Sequence, residues 1–540
     1  MARTESSVIG PATRDRTMTS AQTTSGSSLM ANWPTLAVAA LGSFLVILDV
    51  TVMAIALPSI ERELKASFAE LQWIINAYNI AYTSVLIAVG ALADWFGRRR
   101  VMVIGLALFG LTSLMVGMAE TPTALILGRV AQGLSASAML ILGVALISNA
   151  FQGSDRAQAF AIWGVSIGCG AAFGPIVGGI LVDLLSWRWI FLLNVPIVVT
   201  LIALCYWRVE ESSDPNAGSL DWTGILLFTG ALACLSYGVI EGGELGWSNG
   251  AVVGAFVASA VLFVLFTILE LALKRPAFDL RLFRIPTFTG IQLVCVLNSI
   301  TFWVMLVYLP IYFQVVHGMS ASAAGLMLMP MTIPLLLFAP MGAKLASPER
   351  WGVRNLIAFG CALIAVGFLW LAIAPPAEVT LWVIAFLLLG IGTGLINGEM
   401  SNVATAVVPA EKAGIASGVN ITFRHGSFTL SISVFGAILL SSITMQLSGS
   451  ADLATALGDG VRETANLIAR GDFAGAVTSA PTEIQSVVET FGRASFSSAF
   501  SVLLWIVALL SVAAIALSAL MIRRRDLHAG PEAAASPAGE

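Results

Sequence analysis

Long stretches of this chain carry no charge at all, and that property restricts the fold more than any single motif. Residues 71–93 and 101–119 contain no Asp, Glu, Lys or Arg, and between them the elbow GALADWFGRRR crowds Asp94, Arg98, Arg99 and Arg100 into positions 90–100. About 20 apolar residues suffice to cross a bilayer as a helix, and charges collect where such helices end. Fourteen apolar runs of this kind can be counted, the first near 33–57 and the last near 500–522. Only 11% of residues are charged and 58% are hydrophobic, with a mean hydropathy of +0.90, against about 25% charged in a soluble domain. A water-soluble fold is excluded, and the expectation is an all-α polytopic membrane protein.

An even number of spans returns both ends to one side. The loops sharing that side with the termini hold 19 lysines and arginines and the opposite loops hold 6, so both termini and the elbow are expected in the cytoplasm. The net charge of −4 offers no basic footprint for nucleic acid. Cys169, Cys205, Cys234, Cys295 and Cys361 lie in apolar runs and form no C-x-x-C pair, which points to packing and away from disulfides or a metal site.

One internal spacing organises the whole. Pro58 and Pro310 are 252 residues apart, as are Gly90 and Gly342; after three inserted residues, Gly97 and Arg99 correspond to Gly352 and Arg354. Parallel repeats of this kind are a transporter architecture. The predicted organisation is a disordered cytoplasmic tail (1–32), a six-helix half (33–208), a two-helix insert (221–273), a second six-helix half (288–522) and a tail (523–540). The second half contains a long external loop (441–498), in which PTEIQSVVETF reads as an amphipathic helix or a solvated linker.

Asp49 lies well inside the first span, where an unpaired carboxylate costs several kcal/mol, so it is a candidate proton site. Thr51 or backbone could instead satisfy it as a structural acid. Arg129 in the fourth span falls at similar depth and would bias the Asp49 proton, with Gln132 one turn on. In both cases the repeat counterpart is uncharged, so the fold itself does not require these groups. The fifth span carries Gly170, Gly174, Gly178 and Gly179 around Pro175, a pattern for close helix packing and a hinge. At the elbow, Gly90 and Gly97 allow close backbone approach, and Asp94 with Arg98 forms a candidate latch; the second copy offers Ser347 and Glu349 there. Arg424, His425 and Glu399 are further embedded polar groups, with a pairing of Arg424 and Glu399 open. Glu270 is expected to pair with Lys274. Met53, Asn76, Tyr78, Gln132, Trp163, Asn298, Trp303, Tyr308 and Arg424 are candidates to line an adaptable substrate cavity. Gly164, Ser166 and Gly168 match G-x-S-x-G, but that elbow belongs between a strand and a helix. No lysine is followed by Ser or Thr, so there is no P-loop. Neither catalytic residues nor a cofactor are expected.

Several of these stretches are similar to the major facilitator superfamily, specifically its fourteen-helix drug/proton antiporter branch. LDVTVMAIALP resembles the branch's first-span motif with its acid at Asp49, GALADWFGRRR its loop motif, LGRVAQG its fourth-span arginine motif and GPIVGG its antiporter motif. WRWIFLLNVP and DWTGILL are also typical. Ala54 departs from the usual asparagine, and His425 from the usual glutamine. The resemblance implies a major facilitator fold of 14 transmembrane helices, in the inner or plasma membrane, with no cofactor, driven by the proton gradient. It would export hydrophobic or cationic small molecules in exchange for protons, among membrane lipids, as a monomer, with a periplasmic adaptor if the cell is Gram-negative. A dedicated exporter of a native lipid, siderophore or antibiotic, and a membrane-embedded enzyme, are the alternatives.

Overall fold

A computed structural model describes residues 30–213, 221–273, 278–347, 350–374, 378–409, 412–523 and 526. The tails expected at 1–32 and 523–540 lie almost wholly outside them, as do Glu349 and Lys274. Among the described residues the chain is helical throughout, without strands. Its membrane-length helices are α1 (Trp33–Leu64), α2 (Phe68–Phe96), α3 (Arg98–Gly117), α4 (Pro122–Ala150), α5 (Gly153–Leu184), α6 (Trp189–Arg208), α7 (Trp222–Leu245) and α8 (Gly250–Ala272). They continue with α9 (Pro286–Val316), α10 (Ala321–Met327 with Met329–Leu345), α11 (Val353–Ile373), α12 (Val379–Ala406) and α13 (Ala413–Gly449). After the short helices α14 (Ala451–Leu457), α15 (Val461–Arg470) and α16 (Phe473–Ser479), the last is α17 (Gln485–Met521). Among the described residues twelve helices are long and apolar enough to cross a membrane, and fourteen when two bent pairs count as spans. In α10 the two segments meet at 43°, just before Pro330, whose missing N–H removes a ladder bond.

The connection between the last two spans is shorter than expected. α13 continues to Gly449 and α17 begins at Gln485, so of PTEIQSVVETF the first four residues form the turn and the other seven are helical, continuous with the final span. The remainder of the loop folds into α14–α16, of which α15 buries Leu467 and Ile468.

Packing defines two ends. Asn32 donates to the Ala150 carbonyl, Thr287 to that of Met521 and Arg354 to that of Ala519, so the starts of α1, α9 and α11 share a face with the ends of α4 and α17. We call this the terminal face. At the far face, Asp183 at the end of α5 accepts from the backbone N–H groups of Ala321 (3.2 Å) and Ser322 (2.8 Å) and from the Ser322 hydroxyl. Arg470 of α15 reaches the Ala66 carbonyl at 3.3 Å and Glu61 at 3.5 Å. α1 packs on α4, α5 and α9, and α2 on α4, α7 and α13. The repeat is visible locally: Gly97 (φ 101°) and Gly352 (φ 72°) each precede a helix, α3 and α11.

Candidate functional site

The fourth helix is set by its start. Thr121 caps it, its hydroxyl accepting from Ala124 N–H at 3.2 Å, and Pro122 fills the first turn, where no N–H is needed. Arg129 therefore lies about 10 Å along the axis. Four residues on, Gly133 lets α4 close against α2: an added Cβ would stand 2.3 Å from the Tyr78 carbonyl oxygen. This approach brings Arg129 onto α2, where its Nε donates to the Ile74 carbonyl at 3.2 Å and its guanidinium lies 4.1 Å from the Tyr78 ring centroid.

The same guanidinium forms an ion pair with Asp49 of α1, and both residues are buried, at 0% and 2% exposure. Gln132 completes the cluster. Its Oε1 accepts from Arg129 Nη1 at 2.8 Å, while its Nε2 donates to Ser113 Oγ at 2.9 Å and to Asp49 Oδ1 at 3.3 Å. Thr51 does not satisfy Asp49, because its hydroxyl bonds to the Ile47, Leu48 and Gly170 carbonyls. A paired acid and base sealed in the membrane layer can exchange a proton only if the helices part or water enters. Ser113, which orients Gln132, is a member that the sequence reading missed; a lone hydroxyl in an apolar run gives no local signal.

The glycine-rich α5 is unbroken from Gly153 to Leu184 despite Pro175. Gly170, Gly174 and Gly178 face α1: a Cβ on them would stand 2.9 Å from the Phe44 carbonyl oxygen, 1.9 Å from Thr51 Oγ1 and 2.7 Å from Val52 Cγ1. Gly179 faces α10 in the same way, 2.5 Å from the Ala321 carbonyl oxygen. The stripe therefore sets how closely the Asp49 helix and α10 can press on α5.

At the elbow Arg98 Nη2 meets Asp94 Oδ1 at 2.8 Å. The cross-chain contact, though, runs through Glu211, which follows α6. Glu211 accepts from the backbone N–H of Arg99 at 2.9 Å and of Arg100 at 3.2 Å, capping α3, and its carboxylate packs where Gly97 has no side chain. Nothing in the elbow's own sequence points to Glu211. Gly90 leaves more room, 3.6 Å from Ile141 Cγ1 to an added Cβ.

The residues expected to line one cavity are dispersed. Tyr78 and Gln132 belong to the Arg129 cluster, and Met53 is in the core. Asn76 donates to Ser433 at 2.9 Å, Trp163 to Ser43 at 2.8 Å and Tyr308 to the Ile432 carbonyl at 2.6 Å. Tyr308 borders a cavity of about 30 Å³ beneath Arg470, and Asn298 one of about 10 Å³ between α9, α11 and α17. Both are small beside the several hundred Å³ of an ordinary small-molecule site. The Trp303 indole packs edge-on against Phe302. Arg424 does not pair with Glu399; it bonds to Asn397 and Ser401, while Glu399 accepts from Asn402. Glu270 accepts from Phe278 N–H at 3.1 Å.

Comparison with known proteins gives a consistent picture. A family model described as Major Facilitator Superfamily matches residues 39–432. Multidrug resistance protein Stp of Mycobacterium tuberculosis is 34% identical over 417 residues, covering 76% of this chain and 77% of that protein. The tetracenomycin C resistance and export protein of Streptomyces glaucescens is 32% identical, covering 76% of each chain. The multidrug efflux pump LfrA of Mycolicibacterium smegmatis is 30% identical, covering 91% of this chain and 96% of its own. Among solved structures, a bacterial homologue of the human lysosomal transporter Spinster, inward-facing and occupied, aligns with a TM-score of 0.61 at 16% identity, covering 91% of this chain and 97% of that one. That last likeness speaks to the fold alone.

Proposed function

The chain belongs to the major facilitator superfamily, and from that premise we propose that it is a fourteen-helix antiporter exporting hydrophobic or cationic drugs from the cytoplasm in exchange for protons. Membership makes it a multi-pass membrane transporter and not an enzyme. The observation that carries the coupled mechanism is the buried Asp49–Arg129–Gln132 cluster. Protonating Asp49 removes the charge that holds Arg129, so the cluster prefers different helix spacings in its two protonation states. In this reading both termini are cytoplasmic, the proton arrives from the far face, and the α5 stripe transmits the change in α1 to α10. Moving one proton through 100 mV releases about 2.3 kcal/mol, enough for between one and two decades of substrate accumulation.

The test is drug export by everted vesicles under an imposed pH gradient, with Asp49→Asn beside the wild type. Loss of uphill export with retained downhill exchange is expected. Uphill export by Asp49→Asn with an unchanged pH profile sinks the assignment of the proton to Asp49. The tetracenomycin relative, named for one antibiotic, supports a second reading, dedicated export; a single tight substrate in place of many weak ones distinguishes it.

A further inference from the structure

Among the described residues two arginines lie well inside membrane-length helices, and one of them has a counter-ion. Arg129 is neutralised by Asp49. Arg424 lies about 16 Å along α13 from its start at Ala413, inside the span that runs from Ile415. Its Nη1 donates to Asn397 Oδ1 at 2.9 Å, and its Nη2 to the Asn397 carbonyl at 3.3 Å and to Ser401 Oγ at 3.4 Å. All three acceptors are neutral. Among the described residues Arg424 forms no ion pair. The guanidinium is thus positioned without being neutralised, and an uncompensated charge at this depth costs several kcal/mol.

Its surroundings offer both donors and space. The neighbouring His425 ring stands edge-on to Tyr82 of α2, with centroids 4.8 Å apart, so this part of α13 faces the other half of the molecule. The Tyr82 hydroxyl is buried and has no hydrogen-bond partner, and the same holds for the Thr422 hydroxyl one turn-fraction before Arg424. On α12, an added Cβ at Gly398 would meet nothing within 4 Å. Gly398 and Asn402, one turn apart beside Asn397 and Ser401, are exposed. This flank of α12 thus leaves room beside the fixed guanidinium.

We propose that Arg424 anchors an acidic group, a carboxylate or ionised phenol, on the hydrophobic molecule being exported, with the Tyr82 hydroxyl as a second donor. This rests on the export reading and narrows its substrate class: an unneutralised guanidinium repels a simple organic cation and favours an amphiphilic acid. The neutral Asn397 and Ser401 contacts hold the fork while leaving its charge for the ligand. The charge the fold omits is the one the substrate supplies.

Two xanthene dyes of opposite charge test it. The purified full-length protein in detergent is titrated with fluorescein, an anion, and with rhodamine 6G, a cation, each followed by fluorescence anisotropy. Arg424→Ala is expected to weaken fluorescein binding about tenfold or more, the minimum for losing a charge-assisted hydrogen bond. Arg424→Lys should recover part of the loss, and Tyr82→Phe should show a smaller one. Rhodamine 6G binding should not fall in any variant, and a monodisperse gel-filtration profile with an unchanged thermal transition shows that each is folded. Equal loss of both dyes, or no fluorescein binding by the wild type, overturns the proposal. Energised rhodamine 6G export by the wild type alongside a failed fluorescein arm removes this inference alone, whereas binding and export of neither dye removes the export reading with it.

Discussion

Replacing Asp49 by Asn keeps the side chain's shape but strands the Arg129 guanidinium among Gln132 Oε1 at 2.8 Å and the Ile74 carbonyl at 3.2 Å. Breaking a buried pair by removing one partner costs about 3 to 5 kcal/mol. Because two acceptors survive, the lower end, about 3 kcal/mol, is the expectation for Asp49→Asn. Arg129→Gln strands the carboxylate with only Gln132 Nε2 at 3.3 Å, so its cost should reach the upper end. That variant also forfeits the face of Tyr78, but the loss recurs in the double variant and cancels in a cycle. Asp49→Asn/Arg129→Gln contains no stranded charge, so it should be more stable than the sum of the singles by at least about 2 kcal/mol. The assay is equilibrium unfolding of the four proteins in mixed micelles, read by tryptophan fluorescence. Additivity within about 0.5 kcal/mol refutes the reasoning, because it means the two charges do not compensate one another in the folded protein.

Two other predictions rest on local geometry. Gly174→Ala should destabilise by about 1 to 3 kcal/mol, because its Cβ would stand 1.9 Å from Thr51 Oγ1, whereas Gly164→Ala on the same helix, with nothing within 4 Å, should be neutral or slightly stabilising; thermal unfolding in detergent compares them, and equal effects contradict the packing account. Burial works to raise the Asp279 carboxyl, which lies between α8 and α9, but the Lys412 hydrogen bond at 2.7 Å, the Arg281 N–H and both cationic charges outweigh it and hold the group below its ordinary 3.8. A lowered folded value means that the stabilisation is complete above pH 3.8 and is lost as pH falls through the folded value. With Lys412 42% exposed, Asp279→Asn should cost about 1 kcal/mol or less at pH 7, and the difference from wild type should shrink as pH falls below 3.8; a difference that grows as pH falls contradicts it.

The elbow illustrates how far the chain's own pattern carries. Its turn and its Asp94–Arg98 pair follow from adjacent residues and are present, and Gly97 at the turn has a positive φ in addition to the close approach expected there. Glu211, which caps α3 from more than a hundred positions away, does not follow from them. The final loop shows a boundary that local pattern leaves open. PTEIQSVVETF has an amphipathic pattern, yet nothing within it tells where α17 begins, and continuity with the apolar run after it prevailed. For the candidate site, Asp49, Arg129 and Gln132 stood out because a charge or amide inside an apolar run is costly wherever it points. The sequence did not show that the Tyr78 ring lies under the Arg129 guanidinium, and Glu399 is not the partner of Arg424.

Sequence alone determined the helical class, the number of apolar runs and the register of the internal repeat, because transfer of a segment from water to lipid depends on the sum of its own side chains and little else. Tertiary structure decided which embedded charges are neutralised. Asp49 and Arg129 are 80 residues apart and meet because Gly133 lets α4 close on α2 beside α1; Arg424 finds only amides and a hydroxyl at the corresponding distance. Hydropathy falls off within a turn or two along the chain, whereas charge compensation depends on which helix faces which.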